Sequence, residues 1–103
     1  MSRFYILEGR EIVPCDDVLT WAAWFEVTAN RVVAQDELAG VRVSTVCTGL
    51  PRAADLVSGG TPRVFETKIF GGRHDGLELH AATYDEAVQA HAHMVNLLAL
   101  GDA

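Results

Sequence analysis

Histidine side chains are the first candidates for catalysis or metal binding, and the sequence holds four: His74, His80, His91 and His93. His91 and His93 are two residues apart on a predicted helix, about 200° around its axis, so they cannot bind one ion as an i, i+4 pair can. His91 also falls in an apolar stripe, which favours a hydrogen-bonded core histidine. His74 and His80 lie in and after a glycine-rich loop, and their spacing defines no ligand set. We therefore predict no metal-binding residue.

The hydroxyls, thiols and glycine pairs of the chain form no catalytic pattern. Ser44, Cys47 and Ser58 lack a local signature such as GxSxG, with a base and an orienting group to activate them. The pairs Gly59-Gly60 and Gly71-Gly72 neither follow a strand nor open a helix with the spacing of a phosphate-binding loop. We predict a protein that is not an enzyme, with no catalytic residue and no cofactor.

Two loops hold charged residues suited to contacting a partner. The segment from Gly49 to Pro62 is longer than a usual connection, and such segments are often functional. The second loop has Arg73-His74-Asp75 at its tip, where His74 and Asp75 could form an acid/base pair, although Asp before Gly is also typical of a turn. Trp24 could anchor a partner or help close the core. The predicted binding residues are Arg52, Arg63, Arg73, His74, Asp75 and Trp24.

The elements that position these loops begin with a hairpin, made by "RFYIL" and "EIVPC" around a turn at Glu8-Gly9-Arg10. Asp16 or Asp17 can cap a helix over Val18–Val27. A second predicted hairpin has strands over 31–35 and 41–48, joined by a turn over 36–40.

The second half of the sequence predicts two more strands and a long helix. In the strand over Arg63–Gly71, the side chains of Phe65, Thr67 and Ile69 are the better candidates for the core face. "LELHA" is its return strand. Thr83 and Glu86 form a capping box for a helix from Tyr84 to about Ala99. Its predicted buried stripe is Tyr84, Ala87, Val88, His91, Met94, Val95 and Leu98.

This order of elements predicts an α+β fold, with an antiparallel sheet of about four to six strands and two helices packed on one face. At 103 residues, the length predicts a single α+β domain over residues 1–103.

Composition limits the partner and the compartment. The 14 acidic and 8 basic residues give a net charge of -6, which disfavours direct nucleic-acid binding. The N-terminal stretch lacks the pattern of a secretory signal, and no apolar run approaches the roughly 20 residues of a membrane span. Cys15 and Cys47 lack CxxC spacing and are expected to be thiols. We expect a cytoplasmic protein with no membrane association.

Three stretches from about Arg31 to Val95 carry a resemblance to known sequences: "VRVSTVCTGL", "PRVFETKIFGGRHDG" and "ATYDEAVQAHAHMV". Their order resembles that of a family of small, largely uncharacterised accessory proteins encoded by tailed phages and prophages. Related sequences often carry Asp-His in the segment after Gly49-Leu50, but this chain reads "LPRAADLVSGGTP" there. The resemblance implies a phage or prophage origin and a place in the host cytoplasm. It transfers no catalytic residue.

Two functions of different classes are compatible with these features. The first is a non-enzymatic accessory protein that binds a host or phage macromolecule, for example to block a host defence system such as a CRISPR complex. The alternative is a module or enzyme that binds an anionic small molecule, such as a nucleotide, through Arg52, Arg63, Arg73 and His74. Clustered arginines would favour the alternative, and dispersed arginines with acidic neighbours would favour the first. The aromatic content also predicts a homodimer.

Overall fold

A computed structural model describes residues 3–102 of the chain, so Met1, Ser2 and Ala103, at the ends of the predicted domain, lie outside the described residues. The chain opens with an antiparallel hairpin of β1, Phe4–Glu8, and β2, Glu11–Cys15. The predicted first hairpin is confirmed.

Helix α1, Val18–Glu26, packs against this hairpin. It begins at Asp17, whose carboxylate accepts a hydrogen bond from the Leu19 backbone N–H at 3.1 Å. The Trp21 ring lies between those of Phe4 and Phe25, with centroid distances of 5.3 and 4.9 Å. Much of the aromatic content of the chain is therefore packed internally.

A four-stranded antiparallel sheet follows a short helix, α2, Thr28–Arg31. The strands, in both chain order and spatial order, are β3 Val32–Leu38, β4 Val41–Cys47, β5 Phe65–Phe70 and β6 Glu78–Ala81. The register places Thr45 opposite Thr67 and Glu66 opposite His80. Directly paired residues point to the same side of a sheet, so each pair shares a face.

Helix α4, Tyr84–Leu97, covers one face of this sheet and contacts all four strands. The Thr83 hydroxyl accepts from the Glu86 backbone N–H at 3.1 Å and donates to Glu86 Oε1 at 3.2 Å, which confirms Thr83 as the N-cap of α4. The side chains buried between α4 and the sheet are mostly apolar or hydroxyl-bearing, with His91 among them, and include Val43, Thr45, Phe65, Ile69, Ala87 and Met94. The opposite face of the sheet carries charged and polar side chains, such as Arg42, Glu66 and His80, together with Val46 and Phe70.

The α+β class with antiparallel strands is confirmed, with the six strands divided between the hairpin and the sheet. Two local predictions were wrong. The second hairpin turn is only Ala39-Gly40, at φ +50° and +80°, since two residues with positive φ close a tight hairpin. Val88 is 44% exposed because the buried positions of α4 are Ala87, His91 and Met94, and Val88 lies one residue further around the helix.

Candidate functional site

The long segment between β4 and β5 contains a short helix, α3, Ala53–Ser58. Two of its apolar side chains face solvent, with Leu56 49% and Val57 89% exposed. Arg52, also exposed, precedes the helix and lies four residues before Leu56, on the same side of the turn. We call Arg52, Leu56 and Val57 the α3 surface.

A buried carboxylate closes this segment onto the residues that lead into β5. The Asp55 Oδ2 atom accepts from the Arg63 backbone N–H at 2.9 Å, and Oδ1 accepts from Arg63 Nε at 2.9 Å. Arg63 Nη2 lies 2.8 Å from the same Oδ1 atom. These hydrogen bonds, first from the Arg63 side chain and then from its backbone, lower the pKa of Asp55. The pair fixes α3 in place, so the α3 surface is preformed.

The second predicted loop is the turn between β5 and β6. Asp75 Oδ1 accepts from the Gly71 backbone N–H at 2.6 Å, and the His74 carbonyl accepts from the Leu77 N–H at 3.0 Å. Asp75 therefore shapes this loop. Arg73 at its tip is exposed, and His74 is half-buried.

The two loops lie at opposite ends of β5. Its six residues span about 20 Å at roughly 3.3 Å per residue, so one small ligand cannot contact both loops. Within the first loop, Arg63 is paired with Asp55. The predicted loop arginines are thus dispersed, and one of them is bound internally.

Trp24 lies on α1 and belongs to neither loop. It packs against the core cluster that includes Tyr5, Cys47 and Phe65. Its indole Nε1 is buried and makes no hydrogen bond within residues 3–102. Trp24 therefore packs against the core and is only partly exposed to solvent.

A buried polar network under α4 has no local signal in the sequence. His91 Nε2–H donates to Asp36 Oδ2 at 2.7 Å, and His91 Nδ1 is 2.8 Å from the Thr45 hydroxyl, which is 2.7 Å from that of Thr67. The predicted hydrogen-bonded core histidine is confirmed. An Asp–His–hydroxyl chain can activate a nucleophile, but Thr45 is 0% exposed and no substrate can reach it here. The network ties α4 to β3, β4 and β5.

Two surface depressions are lined by residues other than the predicted binding residues. One, of about 370 Å³, is lined by Arg10, Glu11, Thr83, Tyr84 and Asp85. The other, of about 230 Å³, lies between the first hairpin, α2 and Tyr84. Neither is lined by the arginines or the histidine of the two predicted loops.

Comparisons with protein-family models, curated proteins and solved structures gave no match. Within residues 3–102, no helix combines the length and the apolar character needed to cross a membrane.

Proposed function

We propose that this chain is a non-enzymatic accessory protein that binds a host or phage protein through the α3 surface. The observation behind this proposal is the exposure of Leu56 and Val57 on a segment fixed by the Asp55–Arg63 pair. Apolar side chains exposed together cost free energy unless a partner covers them. A segment already fixed also loses little conformational entropy on binding.

The side chains of the α3 surface indicate what kind of protein surface could bind them. Leu56 and Val57 require an apolar groove, and Arg52 beside them is suited to an acidic group at its rim. The turn with Arg73 and His74, about 20 Å away at the far end of β5, adds a second contact. Only a macromolecule can cover both places. Blocking a host defence complex in the cytoplasm of a bacterial host is one use of such binding.

The alternative, an anionic small-molecule site, has less support. Arg63 is already neutralised by Asp55, and Arg73 lies beyond the opposite end of β5 from Arg52. An anion would thus meet one loop arginine at a time, in solvent, where a single charge pair is weak. The dispersed arrangement favours the macromolecular partner.

The experiment is a comparison of immobilised variants. Wild type, a Leu56→Asp/Val57→Asp double variant and a Val88→Asp control are incubated with extracts of host cells, and retained proteins are quantified by mass spectrometry. Val88 is an exposed apolar residue on α4 and is not part of the α3 surface. A protein retained by wild type and the control but lost with the double variant supports the proposal. Equal retention by all three forms contradicts it.

A further inference from the structure

We propose that Glu66, Glu78 and His80 form a binding site for a divalent transition-metal ion on the face of the sheet opposite α4. One ligand atom from each residue lies within 4.8 Å of the others. The proposal is independent of the α3 surface and of its partner.

Strand register creates this cluster. Glu66 on β5 is directly opposite His80 on β6, and Glu78 precedes His80 by two residues, so all three side chains share one face. Glu66 and His80 are 14 positions apart, on different strands, and the sequence alone does not specify their pairing.

The ligand atoms are close to the separation that a metal ion needs. Ligands about 2.0–2.2 Å from a tetrahedral ion are about 3.4 Å apart. His80 Nε2 and Glu78 Oε2 are already 3.3 Å apart, joined by a hydrogen bond. A bound ion would replace the proton between them, and rotation of the Glu66 side chain would bring the third ligand into place.

The two carboxylates differ in their partners. Lys68 Nζ lies 3.2 Å from Glu78 Oε1, which leaves Oε2 directed at His80. This hydrogen bond from Lys68 is the main cause that lowers the pKa of Glu78. Glu66 is half-buried, yet its carboxylate has no hydrogen bond or ion pair with any described side chain. A half-buried residue with an unpaired carboxylate beside an imidazole is a site that a cation would stabilise.

The donor set indicates the class of ion. Imidazole suits zinc and other first-row transition metals, and carboxylates also suit manganese. Three protein ligands on a solvent-facing sheet leave coordination positions for water, the pattern of open zinc sites rather than of closed structural ones.

The test is calorimetric titration of Zn²⁺ into chelator-treated full-length protein. We expect one site per chain, with affinity lowered at least about tenfold by His80→Gln and by Glu66→Gln. The controls are Glu37→Gln, on the same sheet face, and His93→Gln, an exposed histidine on α4; both should bind as wild type does. Circular dichroism checks that each variant is folded.

The location of the site is tested separately with Mn²⁺. Paramagnetic broadening of amide NMR signals should be greatest around residues 66 and 78–80. Absence of Zn²⁺ binding at millimolar concentration overturns the proposal. So does unchanged affinity in both ligand variants, or broadening centred elsewhere.

Discussion

At the scale of single residues, Asp55 determines how the α3 surface is presented. Its two carboxylate oxygens accept from both the backbone and the side chain of Arg63, eight residues later. Removal of one partner from a buried charge pair is destabilising, because it leaves the other group without its hydrogen bonds. The effect of this pair on stability should depend on pH.

We expect Asp55→Asn to lower the free energy of unfolding at pH 7. Because folding lowers the pKa of Asp55, the pair stabilises the fold above the ordinary carboxyl value of about 3.9 and loses that effect as pH falls through the lower folded-state pKa. The difference between variant and wild type should therefore shrink towards pH 2. Urea unfolding at pH 7 and pH 2 measures it, with exposed Asp16→Asn as the control. A difference independent of pH would contradict this role.

Gly49 is a second residue with a specific structural requirement. Its φ is +69°, and an added Cβ would overlap the Tyr5 carbonyl oxygen and lie 2.6 Å from the Trp21 Nε1 atom. Its own carbonyl accepts from the Tyr5 N–H at 2.8 Å, which joins the first hairpin to the end of β4. No side chain fits at this junction.

We expect Gly49→Ala to destabilise the protein by more than about 1 kcal/mol, since strain and overlap combine. Gly76→Ala is the matched control, because Gly76 has a φ of +88° but nothing within 4 Å of its added Cβ. Thermal unfolding compares the two. Equal losses would show that the close approach to Tyr5 has no effect on stability.

The sequence predicted whether a residue is buried, but it did not predict which residues form its hydrogen bonds. The apolar stripe predicted that His91 is a hydrogen-bonded core residue. Its partners, Thr45 and Asp36, are 46 and 55 residues away, and no local pattern indicates such distant contacts. The Asp55–Arg63 pair was missed because Asp55 lay in a segment predicted to be a loop, whereas Arg63 was placed at the start of a predicted strand.

At the scale of elements, α4 holds the sheet together. Ala87, His91, Met94 and Leu98 repeat at helical spacing and are buried on the sheet, whereas Val88 is not. The periodicity of this long helix made it predictable. By contrast, the six residues of α3 are too few to show a period, and Pro51 and Gly59 near its ends indicate a loop.

We expect Leu98→Ala to lower stability by about 2 to 4 kcal/mol, because Leu98 is 3% exposed and a cavity replaces its side chain. Val88→Ala should change stability by no more than about 0.5 kcal/mol, since its side chain is 44% exposed. Denaturant unfolding of both variants measures the difference. Similar losses of unfolding free energy in the two variants would contradict this assignment of the buried side of the helix.

At the scale of the whole molecule, the homodimer stays a prediction. The aromatic rings that suggested it pack largely within the chain, as in the edge-to-face contact of Phe65 with Tyr84. Exposed apolar side chains, such as Leu19 on α1 and Val57 on α3, are candidates to form it. Light scattering at micromolar concentration should give about twice the chain mass of 11.2 kDa. A mass near 11.2 kDa would exclude the dimer at that concentration.

The most direct test of the proposed function is the affinity of the purified chain for the main protein that it retains from host extracts. Calorimetry would compare wild type with Leu56→Asp/Val57→Asp, Arg73→Ala/His74→Ala and the control Val88→Asp. We predict at least a tenfold loss for the α3 variant, or about 1.4 kcal/mol, a smaller loss for the Arg73/His74 variant and none for the control. Unchanged affinity in the α3 variant, with its fold intact, would contradict the account.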